Sequence, residues 1–138
     1  METRSYSLET KSYSFDSGRG TEIKGVTWLP ASEPVGLVYI SHGYGEHMDN
    51  YDELGSTLAG AGLAVFGHDH DGHGVSGGER VNIEDFENYV EDVFRGCQVN
   101  KLRYPNKELP IFIFGQSMGG LITLLAVLQR PNYFSSIN

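Results

Sequence analysis

The hydrophobic positions change period several times along the chain, and each change marks an element. Residues 21–29 (TEIKGVTWL) partly alternate and end at Pro30, the pattern of a strand. Residues 36–41 (GLVYIS), 63–67 (LAVFG) and 110–114 (PIFIF) are short unbroken apolar runs, which predict strands buried on both faces. Between them the spacing lengthens. Tyr51, Leu54 and Leu58 fall three and four apart, with Gly60 and Gly62 as stop signals, so a helix is predicted from Asn50. Ile83, Phe86, Val90, Val93, Phe94 and Cys97 share one helical face, and Glu84, Asp85, Glu87, Glu91 and Asp92 fall on the other. A last helix starts near Ser117 and stops at Pro131. It is apolar nearly all round from Leu121 to Leu128, too short for the roughly 20 residues of a membrane span, and is expected to pack into a core. Asp16 to Gly20 reads as a turn between two short strands. Buried strands alternating with helices predict an α/β fold: a mostly parallel sheet with helices on both faces.

Composition narrows the class. A chain of 138 residues with 39% hydrophobic and 12% aromatic residues is long enough, and apolar enough, to bury one domain core. Ten basic against 18 acidic side chains leave a net charge of -8 and no basic cluster, which argues against a nucleic-acid partner. The single Cys97 cannot form an internal disulfide, and the first residues hold no apolar run, so a reducing, cytoplasmic location is expected.

Glycine is the compositional outlier, with 18 residues concentrated around 36–78 and 115–120. Gly115-Gln116-Ser117-Met118-Gly119 is a G-x-S-x-G placed between a predicted buried strand and a helix. A sharp strand-to-helix turn needs small neighbours, which Gly115, Gly119 and Gly120 supply, and it presents the serine hydroxyl above the sheet. That makes Ser117 a candidate nucleophile. The competing reading is an N-cap serine preceded by a glycine turn. Ser41 to His47 (SHGYGEH) follows a predicted strand and precedes a helix, with Gly43 and Gly45 as turn residues. Acyl transfer needs two N–H donors aimed at a developing oxyanion, each worth about 3 to 4 kcal/mol. The N–H groups of Met118 and Tyr44 are the candidates. The side chains of His42 and His47 are read as loop residues bonded to backbone.

Together, HGYGEH at 42–47, VFGHDHDGHGVSGGER at 65–80 and GQSMGG at 115–120 resemble the monoacylglycerol lipase branch of the α/β-hydrolases, in that family's order and spacing. The resemblance implies a serine hydrolase that cleaves a monoacylglycerol to fatty acid and glycerol, or a close relative acting on a lysophospholipid. It implies Ser117 as nucleophile and the N–H groups of Tyr44 and Met118 as the oxyanion hole. Relatives commonly carry His where Gln116 stands. No Asp, Glu or His follows Ser117, although the family's order is serine, acid, histidine. The resemblance therefore implies that residues 1–138 are the amino-terminal portion of a single α/β-hydrolase domain, truncated before its later strands and its lid. By themselves they are expected to be inactive, with the strand at 110–114 presenting an unpaired edge. The lid would also carry any peripheral membrane contact.

Other readings carry less. HDHDGH at 68–73 offers metal-ligand types, but consecutive ligands on one loop rarely converge tetrahedrally, so no metal or other cofactor is expected. Gly72 to Gly77 matches G-x-G-x-x-G without the helix that a dinucleotide site opens. A non-catalytic short product that binds lipid or a partner remains a distinct alternative.

Overall fold

The computed structural model describes residues 9–81, 85–105 and 108–137. β1 (Glu9–Asp16) and β2 (Glu22–Leu29) form a hairpin around the turn expected at Asp16 to Gly20. β3 (Gly36–Ser41) leads through a 3-10 turn at Met48–Tyr51 into α1 (Asp52–Gly60), then β4 (Leu63–His68). After α2 (Phe86–Lys101) come β5 (Ile111–Gly115), α3 (Met118–Gln129) and a short β6 (Ser136–Ile137). Ile83 and Glu84, placed on that helix by the sequence pattern, lie outside the described residues; Asp85 caps α2, its carboxylate accepting the Glu87 N–H.

The sheet order is β1-β2-β4-β3-β5-β6. β1, β2 and β4 pair antiparallel, whereas β4, β3, β5 and β6 run parallel, so most of the sheet has the expected direction. Alternation along β3 divides the core. Leu37 and Tyr39 meet Val90, Val93 and Phe94 of α2 and Ile122 and Ala126 of α3. Val38 and Ile40 face the opposite layer with Trp28, Met48, Tyr51 and Ala59. Helices therefore cover both faces, and the parallel strands all end at one edge.

Four expectations need correction. The strand at 110–114 does not present a bare edge: Phe112 and Ile113 pair in parallel with Ser136 and Ile137. Its second face is only partly covered, because Phe112 and Phe114 sit at the margin of the Trp28 layer. The last helix buries only one side; Leu121, Leu124 and Leu128 are exposed, since α3 packs chiefly on β5, β3 and α2. Asp92 does not belong to the solvated face of α2. It is fully buried because the Arg19 guanidinium, on the β1–β2 turn, meets it with two nitrogens at 2.8 and 3.2 Å and reaches Asp71 at 3.0 Å.

Burial pushes the Asp92 carboxyl up to about 6, and Arg19 opposes that rise. Arg19→Met should lower stability by about 3 kcal/mol, because it leaves a buried carboxylate without its cation. Loss of Arg19 should raise the Asp92 pKa further. A carboxylate whose folded pKa is raised destabilises the fold as pH climbs from its unfolded value towards the folded one. Denaturation of the variant should therefore show a deficit that is larger at pH 7.5 than at pH 4.5, and adding Asp92→Asn should recover much of it. A variant with an equal deficit at both pH values would contradict this.

Candidate active site

β5 ends at Gly115 beside Ser41, the last residue of β3, and the two loops that follow lie against each other. Gln116 N–H reaches the Ser41 carbonyl at 3.4 Å. A Cβ on Gly119 would overlap the main-chain carbonyls of Ser41 and His42. One on Gly115 would overlap the Gly119 carbonyl and the Thr123 hydroxyl. Those two glycines are obligatory. Gly120, expected to be equally constrained, is not: its nearest neighbour would be 3.6 Å from an added Cβ.

Between them Ser117 sits at φ 59°, ψ −121°, a conformation costing of order 1–3 kcal/mol in a non-glycine residue. Its side chain makes no capping hydrogen bond to α3 and is exposed. Both facts separate it from an N-cap serine, which has extended backbone angles and gives its oxygen to the helix. Ser117 instead contributes its carbonyl, accepting from Gly120 N–H at 2.8 Å and Leu121 N–H at 3.2 Å. Among the described residues nothing bonds the hydroxyl, which lies at the amino end of α3, where the helix favours negative charge. Gln116 is also exposed.

The loop after β3 is pinned on every side. Gly43 N–H donates to Glu46 Oε1 at 2.7 Å, and Tyr51 Oη donates to the same oxygen at 2.7 Å. Glu46 N–H returns to the Gly43 carbonyl at 3.1 Å. A Cβ on Gly43 would come within 3.2 Å of the Gln116 carbonyl, and Gly45 turns the chain at φ +74°. Tyr44 N–H and Met118 N–H donate to no group among the described residues. Two donors without partners among the described residues therefore lie on either side of the strained serine, one on the loop after β3 and one at the first residue of α3.

Beneath this loop lies a buried histidine layer. His42 Nδ1 donates to the Gly43 carbonyl at 2.7 Å, and His42 Nε2 accepts from His70 N–H at 2.9 Å. His70 Nε2 donates back to the His42 carbonyl at 3.1 Å. His68 Nδ1 bonds Tyr39 Oη, and His73 Nδ1 donates to the Asp71 carbonyl at 3.1 Å. Asp69 joins the two loops, accepting from Met48 N–H at 2.7 Å and Val75 N–H at 3.0 Å. Among the described residues no three His, Cys, Asp or Glu side chains are placed to hold a metal ion. The glycine segment 72–77 closes on itself, Gly72 N–H donating to the Gly77 carbonyl at 2.8 Å, and opens no helix. No described helix is long and apolar enough to cross a membrane.

No histidine or carboxylate bonds the Ser117 hydroxyl among the described residues. Glu46 and the Arg19–Asp92 pair escaped the sequence reading. For Glu46 the three-residue spacing from Gly43 was the available signal; Arg19 and Asp92 are 73 positions apart and offered none.

A serine held at positive φ between a parallel strand and a helix, beside a glycine loop after a neighbouring strand, defines an α/β-hydrolase. Residues 32–137 match the family Hydrolase_4, described as serine aminopeptidase, S33, and the chain belongs to that family. It is 46% identical over 110 residues to the monoglyceride lipase of Mus musculus, covering 80% of this chain and 36% of that protein. It is 35% identical over 125 residues to the monoacylglycerol lipase of Mycolicibacterium smegmatis, covering 91% of this chain and 44% of that one. Among solved structures, a soluble variant of monoglyceride lipase from Saccharomyces cerevisiae in complex with a substrate analog superposes with a TM-score of 0.78 at 27% identity, covering 94% of this chain and 43% of that chain. The chain thus spans less than half the length of these relatives.

Burial holds the His42 imidazole down to about 4 and that of His68 to about 3, and His70 lies well below its usual value. A histidine with a depressed folded pKa contributes stability that is present above about 6.5 and lost as pH falls towards its folded value. Asp92 works the other way between about 6 and its ordinary range, but one carboxylate faces three histidines. The midpoint of chemical denaturation should therefore be lower at pH 5 than at pH 7.5. An unchanged or higher midpoint at pH 5 would sink this reading of the layer.

Proposed function

We propose that the chain supplies the nucleophile and oxyanion half of a serine ester hydrolase that cleaves monoacylglycerols to fatty acid and glycerol. The observation that carries this is Ser117: strained, exposed and uncapped, with the N–H groups of Tyr44 on the loop after β3 and Met118 at the start of α3, neither bonded among the described residues. The likeness to monoglyceride lipases supports the substrate class.

In this mechanism Ser117 Oγ attacks the ester carbonyl carbon. Its proton passes to a general base, and the carbonyl π electrons move onto oxygen, where Tyr44 and Met118 N–H groups receive the charge. Collapse of the tetrahedral species breaks the bond to the glycerol oxygen, which takes the proton from the base. Water then releases the fatty acid by the same steps. None of the buried histidines is assigned as the base: His42 has both ring nitrogens committed, to Gly43 and His70, and no hydrogen bond joins His68, His70 or His73 to the Ser117 hydroxyl among the described residues. The base and the acid that orients it are assigned to protein outside residues 1–138, as part of one α/β-hydrolase domain.

In the protein carrying this segment within that domain, Ser117→Ala should reduce monoacylglycerol hydrolysis by about a million-fold, to the level of binding and oxyanion effects. A fluorophosphonate should modify Ser117 and no other residue of the segment. Residues 1–138 alone should show no turnover. Comparing a monoacylglycerol with a lysophospholipid of the same acyl chain reads the head-group preference. Hydrolysis that survives Ser117→Ala would overturn the proposal.

A further inference from the structure

The peptide group joining Gly43 to Tyr44 carries the Gly43 carbonyl on one side and the Tyr44 N–H on the other. It is planar and trans, so whatever holds the carbonyl also aims the N–H. Two donors hold it: Glu46 N–H at 3.1 Å and His42 Nδ1 at 2.7 Å. A carbonyl can only accept, so Nδ1 bears the imidazole proton. The other ring nitrogen accepts from the His70 main chain, which requires it to be unprotonated. His42 is therefore neutral, in one tautomer, with both nitrogens committed.

The ring has no freedom to drift. It is wholly buried, its centroid lies 4.1 Å from that of His70, and His70 in turn stacks on Tyr89 at 5.0 Å and 18°. His42 is thus a strut between the main chain just beyond β4, at His70, and one peptide of the loop after β3. Glu46 fixes the preceding amide by accepting Gly43 N–H. Hydrogen bonding to a carbonyl also polarises its peptide and strengthens the N–H on the far side as a donor.

We infer that His42 is a positioning residue for ester hydrolysis, its Nδ1–H holding the Gly43–Tyr44 peptide so that Tyr44 N–H faces the developing oxyanion. This rests on the assignment of Tyr44 as an oxyanion donor. That donor acts mainly on the tetrahedral species, so loss of the strut appears in kcat rather than KM.

The test compares two substitutions in the full-length enzyme. In His42→Asn the amide nitrogen takes the place of Nδ1 and still donates to Gly43, but His70 N–H loses its acceptor. In His42→Gln the longer amide reaches the Nε2 position and still accepts from His70, but Gly43 loses its side-chain donor. His42→Gln is expected to lower kcat about ten- to a hundred-fold with KM little changed, and to weaken binding of an alkyl boronic acid by the same factor. His42→Asn should retain most of both. A purely structural His42 reverses that order, because the gap in the buried layer is larger in the Asn variant. Wild-type kcat in His42→Gln, or equal losses in both variants, overturns the inference. In the unsubstituted enzyme, long-range 15N–1H correlation should show His42 protonated at Nδ1; a proton on Nε2 overturns it without any variant. Hydrolysis surviving Ser117→Ala would remove the serine mechanism as well, whereas activity that depends on Ser117 but ignores His42→Gln removes the His42 role alone.

Discussion

The approach of Gly119 to the Ser41 carbonyl is the contact on which the rest of the site depends. No side chain fits between the start of α3 and the end of β3, so the chain must turn from β5 into the helix within two residues. The turn forces Ser117 to positive φ and lifts its hydroxyl away from the helix. The same approach puts the loop carrying Tyr44 beside the elbow carrying Met118. A backbone constraint, rather than any side-chain bond to the serine, thereby brings a strained serine and the N–H groups of Tyr44 and Met118 to one sheet edge.

A strained turn persists only where its surroundings over-determine it, and here they are polar and buried. His42, His70 and Asp69 exchange hydrogen bonds with main-chain groups at the ends of β3 and β4 and in the loop after β4. Arg19 ties the β1–β2 turn to Asp71 and to Asp92 on α2. Burying such groups costs free energy unless they are satisfied; the bonds they make go mostly to fixed backbone, while His68 Nε2, His70 Nδ1 and His73 Nε2 have no partner among the described residues. The layer therefore links the stability of the fold to the loop that carries Tyr44.

The elements that periodicity made legible were those whose environment is set by local pattern. β3, β4 and α1 lie close to the expected positions because an unbroken apolar run or an i, i+4 spacing reports burial directly. Gly115 and Ser117 were legible because a G-x-S-x-G between strand and helix has few structural meanings. What escaped depended on pairing across the fold. Asp92 looks solvated from its neighbours on α2, and only Arg19, far away in sequence, explains its burial. Gly120 looks as constrained as Gly119 because both are glycines in one motif, but only Gly119 faces β3. The exposed stripe of Leu121, Leu124 and Leu128 shows the limit of composition, which reports apolarity without saying which side is covered.

The central role of close backbone approach, rather than the serine alone, is tested most directly by comparing Gly119→Ala with Gly120→Ala in the protein that carries this segment. The measurement is the rate at which a fluorophosphonate modifies Ser117. Gly120→Ala should stay within a few-fold of the unsubstituted enzyme, since its Cβ has room, while Gly119→Ala should lose nearly all reactivity as β3 and the elbow are forced apart. Equal rates in the two variants would contradict the central role of that contact.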